Sequence, residues 1–231
     1  MLSIAAFVVV TSLSNSLAPE PQLDAATLFP PAKEGFTIPA GRAPDASMNL
    51  LQLLSEFTRV TGITLQLSKD SEVQLKAAQP GLNQTIQVPA SEVHRIVEAL
   101  LIANDFALFR LSDAEPRIWT VVSLTMRGGP QVRNNALLVD EKDLKFLADH
   151  AATLITTTIT LPKTDVRTLS NSMRTMFTDA NTQQIIPVGA NSLILTGFAQ
   201  NVVALTRMLH VVDDLSPGDP SVLVPAQPKA K

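Results

Sequence analysis

The spacing of apolar residues changes from a helical to a strand period and back in two separate rounds, with a glycine-proline break between them. In the first round Leu50, Leu53, Leu54, Phe57 and Val60 recur at helical spacing, with Ser47 as the expected N-cap and Gly62 just past the end. Residues 63–67 alternate apolar and polar as a strand does, and residues 84–88 do so again. Pro89-Ala90-Ser91-Glu92 then opens a second helix, which carries Val93, Ile96, Val97 and Leu100 on one face and has Asn104 as its expected C-cap. Residues 106–111 and 117–122 flank Ser112-Asp113-Ala114-Glu115-Pro116, the pattern of a hairpin. Together these elements predict a first domain over residues 47–125.

Gly128-Gly129-Pro130 and Arg133-Asn134-Asn135 predict a break, and the charged residues 140–150 predict an exposed helical turn inside a connector over 126–152. The second round begins with a Thr- and Ile-rich strand at 154–161, followed by a helical stripe of Val166, Leu169, Met173 and Met176 that is expected to be core. Residues 182–188 and 192–196 predict two strands joined by Gly189-Ala190-Asn191. A last helix shows Val202, Leu205, Leu209 and Val212 on one face and stops near Asp213-Asp214, where acidic residues meet the negative end of the helix dipole unfavourably. The order over 153–215 is β-α-β-β-α, and the fold class is α+β in two small domains.

Outside these rounds, residues 2–10 are apolar, and 11–18 are small and polar with Ser16-Leu17-Ala18 in small-x-small form, which predicts a signal peptide or anchor over 1–18 and hence export. Pro19, Pro21, Pro30, Pro31, Pro39 and Pro44 predict a proline-rich linker over 19–46, in which Gly35-Phe36-Thr37-Ile38 is at most a short edge strand. Residues 216–231 are proline-rich and predict a disordered tail.

Composition narrows the function. Eighteen basic residues against twenty-one acidic ones, without a dense Lys/Arg run, disfavour a nucleic-acid partner, which needs concentrated positive charge. Nine Phe, one Trp and no Tyr leave few rigid anchors for a small-molecule ligand. The absence of cysteine removes disulfides, thiolate metal sites and thiol nucleophiles. The serines lie in no Gly-x-Ser-x-Gly elbow, and Gly128-Gly129 is not followed by a phosphate-cradling Gly-Lys-Ser/Thr. His94, His150 and His210 show no metal-ligand spacing on their elements and are expected to be solvated, with His94 on the polar side of its helix. Asp140, Glu141 and Asp143 lack calcium-loop spacing and are expected to form a solvated charged turn. The chain is therefore expected to be non-catalytic, with no cofactor, metal or small-molecule substrate. Arg167 and Arg174, seven apart on one predicted helix, and Arg207 on the last helix are the candidate subunit-interface residues.

Two stretches carry a family resemblance. Asn49-Leu50-Leu51 through Gly62-Ile63-Thr64-Leu65, then Thr85-Ile86-Gln87-Val88-Pro89 and a helix ending Leu100-Leu101-Ile102-Ala103-Asn104, resemble the secretin and TonB short N-terminal domain. Ile159-Thr160-Leu161-Pro162 with Asp165-Val166, Ile185-Ile186-Pro187-Val188, Asn191-Ser192-Leu193-Ile194-Leu195-Thr196-Gly197 and a helix ending Val211-Val212-Asp213-Asp214 resemble the KH-like secretin N-domain repeat. Gly189 and Ala190 depart from that repeat, which often has an acidic residue and an arginine before the asparagine.

The resemblance implies a periplasmic or outer-membrane-associated module for protein-protein interaction and ring assembly in a secretin-type secretion system. Its implied partners are other copies of itself or a barrel-bearing secretin subunit, and inner-membrane secretion components. The pore-lining C-terminal barrel of full-length secretins has no counterpart after Ser216, so this chain is not expected to be the channel by itself. Two alternatives stay open: a periplasmic sensor or transducer domain of TonB-receptor type, and nucleic-acid binding through the KH-like fold, which would need a Gly-x-x-Gly loop and a basic groove that the sequence does not show.

Overall fold

Helix α1 (Leu50–Thr61) is the anchor of the first unit, and every member of its apolar stripe, Leu50, Leu53, Leu54, Phe57 and Val60, is buried. Its cap is Asn49 and not Ser47: the Asn49 side chain accepts from Gln52 N at 2.9 Å, while Gln52 Oε1 accepts from Asn49 N at 2.9 Å. This reciprocal box satisfies two of the helix's orphan donors, and Gly62 closes the other end in a left-handed conformation, φ 74°. Asn49→Ala is expected to lower stability by about 1 kcal/mol, read as a shift of the urea midpoint, with Asn49→Ser close to wild type.

The computed structural model describes residues 28–41, 48–112, 117–125, 132–177 and 179–216. The expected signal segment at 1–18, the ends of the proline-rich stretch, the Gly128-Gly129-Pro130 break and the tail after Ser216 lie outside the described residues.

After α1 come β2 (Thr64–Leu65) and α2 (Lys69–Ala77), then β3 (Ile86–Val88) and α3 (Val93–Ile102), which a 3-10 turn at Ala90–Glu92 leads into. The hairpin is β4 (Phe106–Arg110) with β5 (Ile118–Ser123), and β2 joins it in the order β2-β5-β4, parallel to β5. Helix α2 has no strong apolar stripe, with only Ser71 and Leu75 buried, which is why periodicity does not reveal it.

The proline-rich stretch is not simply a linker. Strand β1 (Phe36–Ile38) pairs antiparallel with β3, and Leu28, Phe29 and Ile38 are buried in the core. Prolines confine this segment to an edge, while its remaining backbone groups still pair: Lys33 N donates to Val60 O at 2.8 Å and Gly41 N to Leu82 O at 3.0 Å. At Gly35 a Cβ would fall 2.2 Å from the Val88 carbonyl oxygen, so no larger residue fits this approach of β1 to β3.

The second unit's sheet runs β6-β7-β9-β8, from β6 (Leu137–Leu138), β7 (Leu154–Thr160), β8 (Gln184–Val188) and β9 (Ser192–Phe198). Helix α4 (Val166–Met173) packs against β8 and β9, and α5 (Ala199–Leu215) against β9 and β7. From β7 onward the order is β-α-β-β-α, and the chain as a whole is α+β. The expected connector differs from a free segment. Strand β6 pairs parallel with β7, the 3-10 helix Glu141–Leu147 buries Leu144 and Leu147, and Arg133 N and Nη1 donate to Asn181 O and Ala180 O at 2.9 and 2.7 Å.

The two units meet edge to edge. Leu108 of β4 forms a parallel bridge with Thr153 at the mouth of β7, and Leu108 N donates to Ala152 O at 2.9 Å. Ala107 and Phe109, from the same strand, pack with Val132 and Leu154. The edge of β4 is thereby covered by the second unit instead of standing open for pairing.

Candidate interaction site

The three arginines singled out above are all exposed: Arg167 on α4, Arg174 in the 3-10 turn Arg174–Met176 that follows it, and Arg207 on α5. The 3-10 turn breaks the α-helical phase between Arg167 and Arg174, so the seven-residue spacing no longer defines one face. Asp165 caps α4 by accepting from Arg167 N at 3.0 Å. The Thr168 hydroxyl first, then the Arg167 amide and the Arg167 charge, hold its carboxyl below the ordinary value.

Around these cations the second unit exposes apolar surface. Of eleven exposed large apolar side chains among the described residues, seven belong to residues 166–215: Met176, Ile186, Val188, Met208, Val211, Val212 and Leu215. Met176, expected to be core, is 59% exposed because the stripe of α4 ends with Met173 when the backbone tightens into the 3-10 turn. Met176, Phe177, Leu205 and Met208 instead line an open groove of about 320 Å³ between that turn and α5, with Thr196 and Gly197 of β9 at its floor. Val212, read as part of the buried face of α5, is 38% exposed, and Leu215 is 80% exposed. Strand β8 is a sheet edge, and Pro187 removes one of its amide donors.

A second cluster lies at the junction of the units and corrects the expectation of solvated histidines. Glu98 of α3 is fully buried and accepts from three donors: His150 Nδ1 at 2.6 Å, Ala152 N at 3.2 Å and Thr153 Oγ1 at 3.0 Å. All three donors come from the entry to β7, so one carboxylate of the first unit is the acceptor for the second unit's first turn. His94 stands one helical turn before Glu98 on α3, and its Nε2 lies 2.9 Å from the Pro30 carbonyl oxygen. Burial holds the His94 imidazole below its ordinary value, against opposing influences from the Pro30 hydrogen bond and the Glu98 charge, with a smaller lowering from His150. Phe29 stacks on His150 with ring centroids 3.5 Å apart and meets His94 edge-on at 5.7 Å.

The signal for this cluster was present in the sequence, since His94 and Glu98 are four apart on one helix, beside the Val93, Val97, Leu101 row. His210 is the histidine that stays half-exposed, and it pairs with Glu141 of the charged turn. Asp140 in the same turn pairs with Lys142 at 3.2 Å. No helix among the described residues is long and apolar enough to cross a membrane.

No family model and no curated protein matches the chain. The solved structures it is similar to include a secretin N-terminal domain and two type II secretion system complexes. One is a Klebsiella pneumoniae type II secretion system outer membrane complex with PulD, PulS and the PulC HR domain, at 14% identity and TM-score 0.49, covering 72% of this chain and 26% of that chain. A second is the enterotoxigenic Escherichia coli GspC-GspD complex from the type II secretion system, at 16% identity and TM-score 0.26, covering 78% of this chain and 99% of that chain. A third is the N-terminal domain of the secretin XcpQ from Pseudomonas aeruginosa, at 12% identity and TM-score 0.26, covering 80% of this chain and 66% of that chain.

Proposed function

We propose that this chain is a non-catalytic, periplasmic module of a secretin-type secretion system that assembles side by side with further copies of itself or with a barrel-bearing secretin subunit. The observation that carries this reading is the concentration of exposed apolar side chains on the second unit, on the groove beside α5, the outer face of α5 and the β8 edge. Exposed apolar surface concentrated on one unit marks that unit as the one that makes contacts. Helix α4 stands on the β8 side of the sheet and α5 on the β7 side, so the β8 edge and the outer face of α5 are different surfaces. Contact between different surfaces of two copies is heterologous, and when the rotation closes it builds a ring. Arg167, Arg174 and Arg207 are exposed around that region and supply charge to pair with a neighbour's acidic groups. The motifs that resemble the secretin repeat fall on β7, the start of α4, β8, β9 and the end of α5, which are the elements that build these surfaces.

The test is light scattering after size separation of the full chain recovered from periplasm, at low and high micromolar concentration, beside the variant that carries Val211→Asp and Leu215→Asp. Assembly that grows with concentration and is lost in the variant is the expected result. A monomer at every concentration, also when a barrel-bearing secretin subunit is co-expressed, or a chain confined to the cytosol, would overturn the reading.

A further inference from the structure

The buried cluster at the junction leaves two electrostatic facts that its hydrogen bonds do not account for. The first concerns His94. A carbonyl oxygen can only accept, so the bond to Pro30 places the ring proton on Nε2 and leaves Nδ1 as a lone-pair acceptor. That Nδ1 is buried and has no hydrogen-bond partner. Buried acceptors without partners are rare in folded proteins. The second concerns Glu98. It is fully buried and receives three donors, yet neither Lys nor Arg pairs with it among the described residues. A buried carboxylate is ordinarily offset by a cation.

We propose that His94, Glu98 and His150 form a zinc site that clamps the two units together. One ligand atom from each of the three residues lies within 4.8 Å of the others. Ligand atoms around one tetrahedral zinc stand roughly 3.4 Å apart, given metal-ligand bonds of about 2.1 Å, so modest side-chain rotation brings the three into range. Two imidazoles and one carboxylate form a donor set suited to zinc, with a fourth position left for solvent. The ion supplies the charge that offsets Glu98 and the partner that His94 Nδ1 lacks.

The surrounding groups already hold the ligands as a metal site requires. Pro30 fixes the His94 tautomer through the far ring nitrogen, and Ala152 N and Thr153 Oγ1 orient the carboxylate through Oε2. Phe29, stacked on His150 and in contact with Trp119 at 5.4 Å, adds an apolar wall. Glu98 and His94 belong to the first unit and His150 to the second, so the ion would bridge the boundary between them.

The experiment is calorimetric titration of the untagged, chelator-treated full chain with Zn2+ at pH 7.5, with cobalt substitution as a spectroscopic readout. Expected are one saturable site, a raised unfolding temperature with Zn2+, and intense visible Co2+ bands of a four- or five-coordinate site. His94→Gln is expected to weaken Zn2+ binding at least ~100-fold, since losing even an outer-sphere partner typically weakens a site 10- to 100-fold. His210→Gln, which removes the surface pair with Glu141, is expected to leave binding unchanged. Absence of saturable Zn2+ binding, weak octahedral-type Co2+ bands in the wild type, or binding that survives His94→Gln and is lost in His210→Gln would overturn the proposal. The cobalt spectrum needs no variant, so a His94→Gln protein that fails to fold does not block the test.

Discussion

Glu98→Ala should destabilise the chain by about 3–5 kcal/mol, because three buried donors lose the acceptor they share. The whole folding free energy of a domain is about 5–15 kcal/mol, so this single change removes a large part of it. The size follows from what remains. His150 Nδ1, Ala152 N and Thr153 Oγ1 all donate to this carboxylate, and in the alanine variant they are left facing a void at a buried site. Each unsatisfied buried donor costs about 1–3 kcal/mol. Glu98→Gln keeps the volume and one acceptor, but turns an NH2 group toward donors, so it should fall between wild type and alanine. Urea unfolding in the presence of a chelator reads the hydrogen bonds alone. Hydrogen exchange in Glu98→Ala should show the amides of Leu108 and Ala152, at the bridge between β4 and β7, opening before the centres of the two sheets. A urea midpoint within error of wild type would show that the junction does not depend on this carboxylate. In the double variant with His150→Ala the losses should be less than additive, because the two residues share one hydrogen bond.

How much of this was legible without coordinates depends on the range of the interaction. The stripe of α1 and the β-α-β-β-α order of the second unit are local patterns of period 3.6 and 2, and they appear in the fold as read. Helix α2 was missed because Lys69, Asp70, Glu72 and Lys76 leave Leu75 as its one buried large apolar side chain, too few to show a period. The short edge strand at Phe36–Ile38 was legible, but its docking on β3 and the burial of Leu28 and Phe29 were not, because proline density argues against central strands and says nothing about what an edge packs on. The Glu98 cluster needed both kinds of information. The four-residue spacing of His94 and Glu98 is local, whereas the donors to Glu98 lie more than fifty residues further on. A charged residue beside an apolar helical row is a cue for such a partner, and its identity is fixed only by how the two units dock. Arg167, Arg174 and Arg207 are exposed as their charge implies, whereas Met176 and Val212, read as members of apolar helical stripes, are exposed near a 3-10 turn and the end of α5.

Asp213 gives the second large effect, and the sign of its contribution reverses the one that helix electrostatics alone implies. An acidic residue in the last turn of α5 meets the negative end of the dipole, which disfavours it by a few tenths of a kcal/mol at an exposed site. Asp213, however, is buried, and its Oδ1 accepts from Lys163 N at 2.9 Å and from Thr164 Oγ1 at 2.8 Å. Those donors belong to the turn after β7, so the end of the last helix holds the path by which the chain enters α4. Two hydrogen bonds to a carboxylate, at about 1.5–3 kcal/mol each before relaxation, outweigh the dipole penalty. Asp213→Ala should therefore lose about 2–3 kcal/mol, while Asp213→Asn, which retains an acceptor oxygen, should lose less than half as much. The neighbouring acid is the control. Asp214 is 78% exposed at its side chain and reaches Lys163 Nζ at 3.3 Å, a surface pair whose removal should change stability by less than about 0.5 kcal/mol. Chemical denaturation of the three single variants decides the matter: equal losses for Asp213→Ala and Asp214→Ala would mean that the pair acts only through its charge at the helix end. A loss confined to Asp213 would give the paired acidic ending a mechanical role, with one residue inward as the clasp and the other outward in solvent.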